Sequence, residues 1–182
     1  MNEYFHKINL KFPEFTTKQL KGPLMVKYSR NNYHGTFIHH IADPDVLDYI
    51  KNNVPFPNPV VAYTEIRGSL VPHIDAGGTC AINYYLETNS ADTTFYSLNE
   101  GQELDTISNG ATLFNEANCK LVDKFHAEQY SSWILNIGKI HSVIQSLAGC
   151  RRLISIGYPE LDFKFLVENL VSLEGIEPPF TR

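Results

Sequence analysis

From residue 60 onward, apolar and polar positions alternate in short runs separated by turn residues, the period of strands and not of helices. The runs fall near 60–66, 70–75, 79–87, 93–98, 111–114, 120–125, 131–137, 141–146 and 151–158. Between them stand Arg67-Gly68-Ser69, Ala76-Gly77-Gly78, Asn89-Ser90, Asn99-Glu100-Gly101, Ser108-Asn109-Gly110 and Leu147-Ala148-Gly149. Eight or nine strands so spaced predict a mainly β sandwich or barrel, not a parallel sheet with crossover helices. Two segments break the pattern. In Asp43-Pro44-Asp45-Val46-Leu47-Asp48-Tyr49-Ile50 a capping Asp and a Pro at the first helical position precede an apolar face of Val46, Leu47 and Ile50, which predicts a helix. After Pro159, Phe163, Leu166, Val167, Leu170 and Val171 recur at helical spacing and predict a second helix over one end. Before residue 40, alternating runs such as Tyr4–Phe12 and Leu24–Tyr28 are broken by Pro13 and Gly22-Pro23, and predict irregular strands and turns covering a core. Pro55, Pro57 and Pro59 force an extended loop, and the tail Glu177-Pro178-Pro179-Phe180 is expected to be loose. With no internal repeat and no dividing linker, residues 1–182 are expected to form a single domain, with 60–158 as its β core.

Composition narrows the class only a little. The chain is 43% hydrophobic, with no apolar run long enough to cross a membrane, so a globular protein that does not span one is expected. The net charge of −5 argues against sequence-independent binding to nucleic acid, which calls for a basic face. The N-terminus lacks the apolar segment of a secretory leader, and Cys80, Cys119 and Cys150 are odd in number without CxxC spacing. Three thiols in a reducing compartment are the simplest reading, and the expected location is the cytoplasm.

Chemistry concentrates in three places. His73-Ile74-Asp75 lies in an apolar, β-branched context, and in a strand residues i and i+2 project from one face, so the imidazole and the carboxylate point together. Two ligands do not make a metal site. His141 lies 68 positions further on, on or beside a late strand. Two His and one carboxylate on a common face form the arrangement that leaves three positions open on Fe(II), whereas a closed zinc site wants a fourth ligand that no motif here supplies. Arg151 and Arg152 open an otherwise apolar strand. A guanidinium there is unfavourable unless it meets an anion, and its fork matches a carboxylate with two parallel hydrogen bonds. Strand alternation lets only one of the two point inward. His39-His40 are expected to be structural, because neighbours on a strand face opposite ways and cannot share a metal. Arg67, Tyr84, Tyr85, Tyr96, His126 and Tyr130 are expected to pack in the core or at the surface, with the rim of a pocket as the other option.

His73-Ile74-Asp75, then His141, then Arg151 resembles the signature of the Fe(II)- and 2-oxoglutarate-dependent dioxygenases. The approach Gly68-Ser69-Leu70-Val71-Pro72-His73 and the segment His141-Ser142-Val143 are similar to that superfamily's turns into its metal strands. The ten-residue offset from His141 to Arg151 resembles the aspartyl/asparaginyl and prolyl hydroxylase branches, over roughly residues 60–158. The resemblance implies a double-stranded β-helix of the jelly-roll or cupin-like kind with a few flanking helices. It implies Fe(II) held by His73, Asp75 and His141, and 2-oxoglutarate held through its distal carboxylate by Arg151. Tyr63, ten residues before His73, resembles a tyrosine that assists that carboxylate, and Asn83 is a further candidate contact to the cosubstrate. The implied activity is hydroxylation of an amino acid, a peptidyl residue or a small metabolite by O2, with release of succinate and CO2. Two other readings stand beside it: a metal-binding cupin-type enzyme that does not use 2-oxoglutarate, and a β-sandwich binding module in which His73 and Asp75 are incidental.

Overall fold

The computed structural model describes residues 2–10, 12–13, 20, 22–29, 35–101, 106–108, 111–145 and 149–171. Thirteen strands are present among them: β1 (Phe5–Ile8), β2 (Leu24–Ser29), β3 (Thr36–Ile41), β4 (Val60–Arg67), β5 (Leu70–Ile74), β6 (Ala81–Glu87), β7 (Asp92–Leu98), β8 (Thr106–Ser108), β9 (Ala111–Leu113), β10 (Cys119–His126), β11 (Ser132–Leu135), β12 (Ile140–Ile144) and β13 (Cys150–Gly157). They form a seven-stranded sheet in the order β1-β11-β6-β13-β4-β3-β2 and a six-stranded sheet in the order β10-β7-β12-β5-β9-β8. Every pairing is antiparallel. The result is a mainly β, two-sheet architecture with few helices.

The nine strands expected after residue 60 are all present, most within two residues of the expected limits, and β8 is an addition. At three residues, β8 is too short to show a period of two. Strands expected before residue 40 are present among the described residues. β1 forms one edge of the large sheet, while β3 and β2 extend it at the other. The expected loose tail lies outside the described residues.

Helix α1 (Pro44–Asn53) starts as its sequence dictates: the Asp43 carboxylate accepts from the Asp45 backbone N–H at 3.1 Å, and Pro44 takes the first turn. Its inward residues Val46 and Ile50 are fully buried, each contributing about 1.5–3 kcal/mol of apolar burial. Helix α2 (Phe163–Val171) begins where the Asp162 carboxylate accepts from Phe165 N–H at 2.8 Å, and it buries Phe163, Leu166, Val167 and Leu170. Both helices belong to one apolar cluster with Val61, Tyr63, Ile82, Tyr84, Ile134, Ile154 and Ile156 of the large sheet. Alternation sends the intervening residues of the same strands to the other face. Ala62, Thr64, Ile66, Ala81, Asn83, Tyr85, Arg151, Leu153 and Ser155 therefore line the space between the sheets. Phe95, Val143, Leu135 and Leu153 close part of that space with a second cluster.

One device fixes the small sheet relative to the β4–β5 turn. Gly68 takes a φ of 68°, a left-handed value that favours glycine, and turns the chain back on itself. Ser69 Oγ then donates to the Gln145 carbonyl and accepts the Gln145 N–H, both at 3.1 Å. The Gln145 side-chain amide donates to the carbonyls of Ile66 at 2.9 Å and Gly68 at 2.7 Å. The β4–β5 connection is thus tied to the end of β12, beside the β5–β12 pairing.

Candidate metal centre

The β5–β12 pairing places His73 of β5 directly opposite His141 of β12, with the two rings 4.4 Å apart between centroids. Asp75 follows β5 by one residue, and its N–H donates to the Ile137 carbonyl at 3.3 Å, which keeps the carboxylate on the side of the two rings. Nε2 of His73 lies 3.3 Å from one Asp75 oxygen, and Nε2 of His141 lies 3.7 Å from the other. One ligand atom from each of the three residues falls within 4.8 Å of the others.

The backbone decides which nitrogen faces the centre. His73 Nδ1 is 2.7 Å from the Val71 carbonyl and His141 Nδ1 is 2.9 Å from the Lys139 carbonyl. A carbonyl can only accept, so Nδ1 carries a hydrogen in both rings; Nε2 presents a lone pair to the centre when the ring is neutral, and in protonated His73 it donates to Asp75. Burial opposes ionisation of Asp75, yet the hydrogen bond from His73 and the nearby imidazoles outweigh it and hold the carboxyl down to about 2. Burial, reinforced by His73, lowers His141 to about 4, so it is neutral in the ordinary working range. Burial also acts to lower His73, but the bond and charge of Asp75 prevail and raise it.

The triad opens into a cavity of about 420 Å³ between the sheets, with Gly77 and Gly78 among its walls. Arg151 enters the same cavity from β13 with only 1% of its surface exposed. Its Cζ sits 4.4 Å from the centroid of the Tyr85 ring, and Nη1 donates to Thr93 Oγ1 at 3.0 Å. Among the described residues, Nε and Nη2 have no hydrogen-bond partner. Burial acts to lower its pKa, but a guanidinium titrates so high that it keeps its charge. A buried cation with two idle donors on one edge of its fork is a receptor for an anion. Asn83, on the neighbouring β6, also lines the cavity, and its buried Oδ1 likewise has no partner. Arg152 points to the opposite face and pairs with Glu87.

Tyr63 does not join this group. It is 2% exposed on the face of β4 that meets the helices, within the cluster of Val61 and Ile154, and burial and then the charge of Glu65 push its hydroxyl up to about 12. An expected contact between Tyr63 and a ligand of the inter-sheet cavity is therefore corrected. The residue of β4 that faces the cavity at this level is Thr64, and its hydroxyl lies 2.7 Å from His39 Nδ1. His39 was expected to be structural, yet it lines the cavity, while His40 on the other face pairs with the Gly22 carbonyl at 3.2 Å. The alternation that separates the two histidines was legible, but not which of them faces inward. Of the candidate rim residues, Tyr85 lies in the cavity wall beneath Arg151, whereas Tyr84 and Tyr96 are buried in other clusters. Arg67 pairs with Glu65 at 3.6 Å, His126 with Asp92 at 3.1 Å, and Tyr130 is exposed.

The protein is a mainly β, two-sheet sandwich carrying a 2-His-1-Asp cluster. No family model and no curated protein matches its sequence. Among solved structures it is similar to vicilin from Capsicum annuum, at 10% identity and a TM-score of 0.42 over 74% of this chain and 30% of that one. The vicilin from Solanum melongena, described with different anionic ligands in structurally similar pockets, gives 10% identity and 0.41 over 89% of this chain and 39% of the other. An Fe(II)-HppE structure with an alternative substrate, (S)-1-HPP, gives 11% and 0.33 over 75% and 55%. The chain spans less than two thirds of the length of each. Overlaps of this size carry no weight on function. Among the described residues no helix is long and apolar enough to cross a membrane.

Proposed function

We propose that the protein is a non-haem Fe(II)- and 2-oxoglutarate-dependent oxygenase built on a double-stranded β-helix core, hydroxylating an amino acid, a peptidyl residue or a small metabolite. The observation that carries this reading is the meeting, in one cavity, of a three-ligand face with a buried guanidinium whose Nε and Nη2 are unpartnered. The donor set fits Fe(II): two neutral imidazole nitrogens and one carboxylate, with lone pairs aimed inward by backbone carbonyls. His73, Asp75 and His141 would hold the metal. Arg151 would hold the distal carboxylate of 2-oxoglutarate, with Asn83 as a further contact to that cosubstrate. When bound, the pair supplies the oxidising chemistry: O2 and the keto acid are converted to succinate and CO2, and one oxygen atom goes to a substrate C–H bond. The chain's own part is to orient the cosubstrate anion, keep three ligands to one side and exclude bulk water with the apolar walls.

A cupin-type metalloprotein that does not use 2-oxoglutarate would share the sandwich and the triad. It would need a different anion at Arg151. A binding module without metal would need neither. Turnover separates them. Fe(II)-loaded protein given 2-oxoglutarate and ascorbate in air is expected to release succinate slowly without a substrate, and faster with the right member of a panel of amino acids and peptides. Full Fe(II) loading with no succinate above a metal-free control would favour the cupin-type reading.

A further inference from the structure

The cavity has two unlike flanks, and the proposed function uses only one of them. Arg151, Tyr85, Thr93 and Asn83 come from β13, β6 and β7, and the guanidinium turns toward Thr93, away from β3. On the other side stands His39 of β3, opposite Thr64 of β4, which is in turn opposite Leu153 of β13. At the usual separation of about 4.8 Å per strand, the backbone of His39 lies roughly 10 Å across the sheet from that of Leu153. His39 and Asp75 act on one another electrostatically, so this flank adjoins the ligand triad.

His39 is held for a task that its own fold does not complete. Its Nδ1 is fixed by the Thr64 hydroxyl at 2.7 Å, and the Phe37 ring packs edge-on against it at 4.1 Å between centroids. Nε2 makes no hydrogen bond among the described residues. A hydroxyl can donate or accept, so rotation of the Thr64 O–H lets Nε2 serve in either role. Burial brings the imidazole down to about 4, so it is a neutral hydrogen-bonding group near pH 7. Phe37, Ile66, Val71 and Leu113 also line the cavity, and among the described residues no Lys or Arg other than Arg151 does. An anionic substrate group placed here would lose its water without gaining a cation, and the carboxylate that acts on His39, that of Asp75, is committed to the proposed metal.

We propose that the β3–β4 flank seats the primary substrate, and that His39 makes the hydrogen bond orienting an uncharged polar group of that substrate: a carboxamide, a peptide amide or a hydroxyl. The assignment to substrate rests on the oxygenase reading; the binding preference does not. It favours a peptidyl residue or a neutral metabolite over a free amino acid, whose paired charges this flank does not match.

The test uses uniformly 15N-labelled, Zn(II)-loaded protein, with N-methylacetamide as the neutral probe and acetate and methylammonium as charged ones. N-methylacetamide is expected to shift the His39 ring signals, identified by their absence in His39→Gln, whereas the charged probes leave them in place. Followed by the Thr64 backbone amide, N-methylacetamide is expected to bind roughly tenfold more weakly to His39→Leu, the effect of one neutral hydrogen bond, with His39→Gln in between. Unmoved His39 signals, or charged probes acting as strongly as the neutral one, would overturn the proposal. So would displacement of N-methylacetamide by 2-oxoglutarate in Zn(II)-loaded protein, since the flank would then belong to the cosubstrate. If 2-oxoglutarate fails to perturb Tyr85 and Asn83 while N-methylacetamide still finds His39, the oxygenase reading falls and the neutral site stands.

Discussion

Arg151→Met is expected to bind 2-oxoglutarate more than about a hundredfold more weakly than the wild type, and at the same time to resist urea better when no ligand is present. The first effect follows from removing one partner of a desolvated charge pair, a loss of about 2–5 kcal/mol. The second follows from the same atoms seen without the anion. A guanidinium 1% exposed, with Nε and Nη2 unpartnered, is a standing penalty that the flexible apolar methionine relieves. A gain of about 1–2 kcal/mol is expected, read as a higher urea midpoint at unchanged slope. Arg152→Ala is the control. Its partner Glu87 sits outside the cavity, both side chains are more than a third open to solvent, and such pairs contribute about 1 kcal/mol or less. Calorimetric titration of 2-oxoglutarate into the Zn(II)-loaded variants ranks the two, and the reverse ranking would place the anion on the other face of β13.

Asp75→Ala is expected to abolish retention of Fe(II), lowering affinity more than about a hundredfold, beyond what loss of a supporting residue around a metal site does. The fold itself is expected to survive. The Asp75 side chain is 38% open to the cavity, and the β4–β5 connection is tied to the end of β12 by Gln145 and Ser69, not by the carboxylate. Anaerobic loading, dialysis and metal analysis measure the loss, with circular dichroism reporting the fold. Retention of stoichiometric iron by Asp75→Ala would mean that the metal sits elsewhere.

What could be read from the sequence was whatever is local in the chain. His73-Ile74-Asp75 is a strand dipole of ligands within three residues, and Asp43-Pro44 is a helix start that needs no tertiary context. Arg151 was legible because a cation in an apolar strand demands an explanation. What failed was the choice of face. β4 is buried on both sides from Val61 to Ile66, so no alternation of apolar and polar residues says whether Tyr63 or Thr64 looks into the cavity. Sequence offset favoured Tyr63, whereas the pairing with β3 and β13 turns Thr64 inward. His39 was hidden for a related reason. Thr36–Ile41 carries two adjacent histidines, and which of them faces inward depends on a register with β4 that no local signal encodes.

One cavity is proposed to hold Fe(II) on His73, Asp75 and His141 and a 2-oxoglutarate anion on Arg151. The direct measurement is the visible spectrum of anaerobic protein with Fe(II) and 2-oxoglutarate. A weak metal-to-ligand charge-transfer band is expected in the wild type, absent in Asp75→Ala and greatly reduced in Arg151→Met at equal 2-oxoglutarate. A flat spectrum from folded, iron-loaded wild-type protein would contradict the account.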